Sequence, residues 1–95
     1  MPLYISFIQF TQKGREAIKD SPARLAQAEK AFEAHGGKLK HAWYTTGEHD
    51  IVVVTDFPTE EAFMKATMAT SAPGFVKGQA TRAYTVEEMK KFLGA

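Results

Sequence analysis

Ile51-Val52-Val53-Val54 sets four β-branched apolar residues in a row. Branching at Cβ favours extended backbone, and consecutive side chains of a strand point to opposite faces of its sheet. A strand written this way is apolar on both sides. It belongs inside a sheet whose two faces are both covered, and the covers must be found elsewhere.

The flanking segments arrange around it as β-α-β-β-α-β. Leu3 to Phe10 alternates as a strand. Its Leu3, Ile5 and Phe7 row is purely apolar and is expected under helices; the Tyr4, Ser6, Ile8 and Phe10 row suits a wetter or partner-covered face. Thr11 caps a short helical turn from Gln12 to Ile18, which Gly14 weakens by about 1 kcal/mol relative to Ala. Asp20-Ser21-Pro22 restarts the chain, with Ser21 as N-cap and Pro22 at the first helical position. Leu25, Ala28, Phe32 and His35 follow as one apolar stripe ending in a histidine, and Gly36-Gly37 stops the helix.

Lys38 to Thr45 is the second strand, with Leu39, His41, Trp43 and Thr45 expected on one face and Lys40, Ala42 and Tyr44 on the other. Thr46 to Asp50 turns the chain into the third strand, Ile51 to Thr55. Pro58-Thr59 ends that strand and caps a second helix, with Glu60 and Glu61 in its first turn. Phe63, Met64, Ala66, Thr67, Met68 and Thr70 give that helix a broad inner face. After Pro73-Gly74, residues 75–84 form the last strand, with Gly78 as a bulge or close-approach point. Thr85-Val86-Glu87-Glu88 is a capping box that opens a C-terminal helix. Its apolar residues, Val86, Met89, Phe92 and Leu93, must pack on something.

Two split β-α-β units in this order make an α+β, ferredoxin-like sandwich, and residues 1–95 are expected to form a single domain. Two helices cover one sheet face. The apolar third strand requires a cover on the other face as well, and a second subunit is the expected one. Two such sheets facing each other form a dimeric α+β barrel.

Composition removes several classes of function. With a net charge of +1 and basic residues spread along the chain, neither a nucleic-acid footprint nor a polybasic membrane patch is expected. The absence of cysteine excludes disulfides, thiolate nucleophiles and zinc–thiolate sites. No apolar run approaches the ~20 residues of a membrane span, and the N-terminus lacks the basic region and cleavage site of a secretory leader. A cytoplasmic location is expected. With no phosphate loop and no dinucleotide fingerprint, no cofactor is expected.

The residues able to do chemistry gather around the central turn. Gly47 and Asp50 have a plain structural reading: glycine supplies a positive φ, and aspartate bonds nearby backbone amides. His41, His49 and Asp50 could be written as a two-histidine, one-carboxylate metal site. Hairpin pairing sets His41 away from His49, so no metal is expected. A Ser6-His41-Asp50 triad has no nucleophile elbow or oxyanion motif behind it. Trp43 and Tyr44 are packing aromatics or the walls of a cavity. Arg82, near a strand end, can hold a carboxylate bidentately, or can be held in a salt bridge by Asp50 or Glu48.

The block Tyr44-Thr45-Thr46-Gly47-Glu48-His49-Asp50-Ile51-Val52 resembles the signature of the GYD domain family, small proteins of the dimeric α+β barrel superfamily. The resemblance extends to Tyr4-Ile5, Asp20-Ser21-Pro22, Gly36-Gly37-Lys38-Leu39 and Gln79-Ala80-Thr81-Arg82-Ala83-Tyr84-Thr85, so it spans nearly the whole chain. His49 stands where that family's name-giving tyrosine would be, so no role assigned to that tyrosine carries over. The resemblance implies the fold and dimerisation, and no activity. The Gly47-x-x-Asp50 turn is also similar to one in the amino-acid-binding domains of leucine-responsive regulators, which suggests Asp50 as a holder of a ligand amine. The DNA-binding helix-turn-helix of those regulators has no counterpart here, and DNA binding is not expected.

Three functions compete. The first is a homo-oligomer that binds a small carboxylate or amino-acid-like ligand, between helices and sheet or at the subunit interface, through Ser6, His41, Trp43, Tyr44, Asp50 and Arg82. The second is a cofactor-independent isomerase, decarboxylase or monooxygenase with His41 or His49 as general base. The third is a ligand-free assembly module, which would leave no cavity.

Overall fold

A computed structural model of the chain describes residues 2–94. The chain forms β1 (Leu3–Phe10), α1 (Gln12–Glu16), a 3-10 turn (Ile18–Asp20), α2 (Ser21–Ala34), β2 (Lys38–Tyr44), β3 (Ile51–Asp56), α3 (Glu60–Ser71), β4 (Val76–Ala83) and α4 (Val86–Leu93). The four strands make one antiparallel sheet in the order β2-β3-β1-β4. The apolar strand β3 is therefore interior, as its composition requires. Strands β1 and β3 occupy the centre and each split β-α-β unit straddles one of them, the connectivity of the expected sandwich. Among the described residues no helix is long and apolar enough to cross a membrane.

The helices cover the face opposite to the one expected from β1. Tyr4 and Phe10 are buried, and with Ile51, Val53 and Thr55 they lie under α2 and α3. Leu3, Ile5 and Phe7, paired with Asp56, Val54 and Val52, form the open face. The ring of Tyr4, and not its hydroxyl, decides the face. Its ring stacks on Phe63 with centroids 3.8 Å apart and planes 8° apart, and an aromatic ring contributes mainly through buried area.

A second correction concerns β2. The register slips between Leu39 and His41, so Lys40 is an extra residue. A bulge of this kind reverses the alternation on either side of it. Leu39, Ala42 and Tyr44 consequently face the helices, while His41 and Trp43 share the open face, stacked with centroids 5.2 Å apart. Gly78, the expected bulge, stays in register opposite Ile8. It is a close-approach point: a Cβ there would meet Ile8 Cγ1 and Phe7 O at 3.3 Å.

Helix starts follow the expected chemistry with one exception. Thr11, Thr59 and Thr85 cap α1, α3 and α4 through their side chains, and Thr85 and Glu88 complete a capping box. Ser21 is not the cap of α2. Asp20 occupies that position without a side-chain bond, Pro22 sits one residue later than expected, and the Ser21 hydroxyl turns to the Tyr44 hydroxyl at 2.9 Å. On α3 only Phe63 and Ala66 are buried, whereas Met64 and Met68 are exposed.

Candidate functional site

The space between helices and sheet divides into two unlike halves. At one end Tyr4, Phe32, Phe57 and Phe63 pack edge to face and face to face, with Ala66 fully buried beside them. Burial pushes the Tyr4 phenol above its ordinary pKa; the Glu60 carboxylate adds to the shift and Arg82 opposes it.

At the other end the layers part around a cavity of about 470 Å³. Its floor is Ile8, Ile51, Val53 and Val76 of the sheet. Its roof is the face of α2 that carries Arg24, Leu25, Ala28 and Ala31. Ala69 and Thr70 of α3, then Pro73 and Phe75, close the far side, and Ala17, Asp20 and Ser21 stand at the start of α2. The cavity has a local cause. Ala28 and Ala31 of α2 and Ala69 of α3 put small groups where the packed half has the rings of Phe57 and Phe63. A volume of this size with an apolar wall and few polar groups is typical of small-ligand sites.

Arg24 is the cation of this wall. Its Nη1 donates to Ala17 O at 2.8 Å, its guanidinium carbon lies 4.4 Å from the Phe75 ring centroid, and its Nη2 is buried without a partner. Lys13 Nζ lies 4.4 Å from the same ring and donates to Pro73 O at 2.7 Å. The loop carrying Phe75 is tied down further by Thr11, whose backbone N–H donates to Phe75 O and whose hydroxyl donates to Gly74 O at 2.6 Å. Gly14 packs so closely on Phe75 O that no Cβ fits between them. The Tyr4 hydroxyl, Thr55 Oγ1 and Asp56 Oδ1 are also buried without partners, but these atoms do not line the cavity. A buried guanidinium N–H left unbonded is costly, because solvation of a cation is lost with nothing in return. An anion at Arg24 would offset that cost.

The six candidate ligand residues do not converge. Ser6 lies on the helix side of β1, opposite Val53 and Ala80. His41 and Trp43 are on the open face. Tyr44 alone reaches the cavity's edge, through Ser21. Asp50 is bound into the hairpin: its Oδ2 accepts from Phe10 N–H at 2.9 Å and lies 3.8 Å from Arg15, and its backbone bonds Ile8 and Thr45. His49 sits beside Phe7, ring centroids 5.2 Å apart. Arg82 lies at the other end of β1. Neither Asp50 nor Glu48 pairs with it; Glu88 is its carboxylate partner, at 4.0 Å, with Leu3 O and Ala83 O accepting from its Nη1 and the Tyr84 ring 4.3 Å away. Among the described residues no three His, Asp or Glu side chains gather as a metal site.

Arg24 and Phe75 were not singled out from the sequence. The legible signal was Ala28 and Ala31 on the inward side of α2, with one arginine beside Leu25 a turn before them. Small residues on a core-facing helix leave space, and a cation next to that space has a reason to be there.

The GYD domain family model matches residues 4–93. No curated protein matches the chain. Among solved structures, a feast or famine regulatory protein from M. tuberculosis complexed with L-methionine superposes with a TM-score of 0.64 at 14% identity, covering 90% of this chain and 52% of that one. The chain thus spans about half the length of that regulator, and the likeness is one of fold.

Proposed function

This chain belongs to the GYD domain family, and we propose that it is a homo-oligomeric binding domain for a small molecule with an apolar body and a carboxylate. The observation that carries the reading is the cavity of about 470 Å³ with the unpartnered Arg24 Nη2 in its wall. The apolar floor takes the body of the ligand. Arg24 takes the carboxylate, with the Ser21 hydroxyl and the Asp20 carboxylate nearby to receive a hydroxyl or an amine. An apolar α-amino acid satisfies all three groups. The methionine named with the M. tuberculosis regulator is of that class, which supports the choice by analogy of fold alone.

The homo-oligomer rests on the open sheet face. Ile5, Phe7, Val52 and Val54 form two apolar rows there, each only partly buried among the described residues. A dimeric α+β barrel would cover them. An enzyme with a His41 or His49 base draws less support, because both imidazoles lie across the sheet from the cavity. The cavity speaks against a pure assembly module.

Thermal-shift and calorimetric titration with L-methionine, L-leucine, L-phenylalanine and their methyl esters tests the ligand class. The acids are expected to stabilise and the esters not. Arg24→Leu should weaken binding by about tenfold to a hundredfold, the worth of a charged hydrogen bond. Undiminished binding to Arg24→Leu, or stabilisation by the esters as well, would defeat the reading.

A further inference from the structure

The helix α4 is unlike the other helices of the chain. Its side chains Val86, Met89, Phe92 and Leu93 are 72%, 43%, 62% and 73% exposed, and none of its residues is buried. Among the described residues its one aromatic contact is Phe92 on Tyr84, just ahead of its N-cap. The molecule measures 49 × 30 × 16 Å, long for a sandwich of this size.

The helix is nevertheless well specified. A reciprocal capping box starts it, and Gly94, at φ 72°, closes it in the left-handed conformation. Glu87 and Glu88 lie at its positive end, Lys90 and Lys91 at its negative end. Its polar side is satisfied within the chain: Glu87 pairs with Lys90 at 3.4 Å, and Glu88 with Arg82 at 4.0 Å. Isolated helices shorter than about 12 residues are marginal in water. An eight-residue helix built with this care and carrying an apolar stripe needs a surface to rest on.

We propose that α4 is an intersubunit arm, its stripe of Val86, Met89, Phe92 and Leu93 packing on a second copy of this chain. The proposal rests on the homo-oligomer reading above and goes beyond it by giving α4 a place in the interface. Area decides for this occupant. Four side chains of this kind offer about 100 Å² each, or roughly 400 Å² per copy, about half of the roughly 800 Å² per partner in a standard interface. The open face of Ile5, Phe7, Trp43, Val52 and Val54 supplies the remainder. Both surfaces belong to the same chain, and a two-fold pair buries each of them twice. The acidic and basic residues of α4 balance, so it presents no net charge to a nucleic acid or a charged peptide.

Sedimentation equilibrium on the wild type, Phe92→Asp/Leu93→Asp and Val52→Asp tests this, with far-UV circular dichroism to check folding. Hydrogen exchange of the wild type at low and high protein concentration tests it without any substitution. The expected result is a wild-type dimer whose dissociation constant rises at least about tenfold in the α4 variant, and α4 amides whose protection grows with concentration. An unchanged constant together with concentration-independent exchange in α4 overturns the arm, and a dimer that only Val52→Asp breaks leaves the homo-oligomer reading standing. A wild-type monomer overturns both.

Discussion

The two halves of the helix–sheet layer solve the same packing problem in opposite ways. Around Phe57 and Phe63 every large group meets another, and Phe57 and Ala66 are fully buried. Around Ile8 and Val53 the same two layers stay apart over about 470 Å³. The same sheet and the same two helices serve both halves, so the difference lies in side-chain volume: Phe57 and Phe63 in one half, Ala28, Ala31 and Ala69 in the other. The first half is close-packed, and the second leaves the space that the proposed ligand would fill.

That division can be broken experimentally. Phe57→Ala or Phe63→Ala should cost about 3–5 kcal/mol in urea unfolding, the usual cost of an aromatic cavity in a close-packed core. A loss under about 1 kcal/mol would mean the packed half is not the stabilising one. Filling the hollow half should behave differently. Ala31→Leu extends a side chain into open space, where it escapes the overpacking cost of about 1–3 kcal/mol seen in full cores. Its stability should change by less than about 1 kcal/mol while ligand-induced stabilisation disappears. If Ala31→Leu instead unfolds the protein, the space is not open in solution.

Smaller effects sharpen the boundary between the halves. Tyr44→Phe removes the Ser21–Tyr44 bond at the cavity's edge and should cost about 1 kcal/mol, measured by chemical denaturation. Titration separates the halves again. The Tyr4 phenol is held above its ordinary pKa by burial, so its contribution is complete below about pH 10 and falls as pH rises through the folded-state value. Alkaline unfolding followed by circular dichroism should therefore set in above about pH 10, and Tyr4→Phe should remove that component. The smallest change belongs to α4. The Thr85 backbone N–H holds the Glu88 carboxyl below its usual pKa, so acid should fray the first turn of α4 once the pH falls below about 4.3. Amide exchange at Thr85 and Glu88, the two amides bonded in the capping box, reports it, and Glu88→Gln should flatten the response.

Much of the frame was legible in the sequence. Residues with one physical role behaved as expected: Thr59 and Thr85 as caps, Gly36 at φ 79° as a helix stop, β3 as an interior strand. The failures fell on residues with two roles. Tyr4 is polar by its hydroxyl and apolar by its ring, and the ring decided its face. Ser21 is a good cap and also a good partner for a phenol, and Tyr44 won it. The candidate site was less legible, because a cavity is made by what side chains lack. His41, Asp50 and Arg82 drew attention by their chemistry, yet Asp50 ties a hairpin and Arg82 braces the end of β1. The alanines that open the space carry no chemistry to notice.

The extra residue at Lys40 works as a parity switch. Upstream of it, β2 shows the helices its odd-numbered side chains; downstream, its even-numbered ones. Deleting that one position would leave His41 beside Leu39 and keep every side chain on its present side, whereas flattening the bulge with Lys40 retained would set His41 and Trp43 against Leu39 for the same interior space. The extra residue, and not any neighbouring residue type, therefore decides which side of the sheet shows the histidine and the tryptophan.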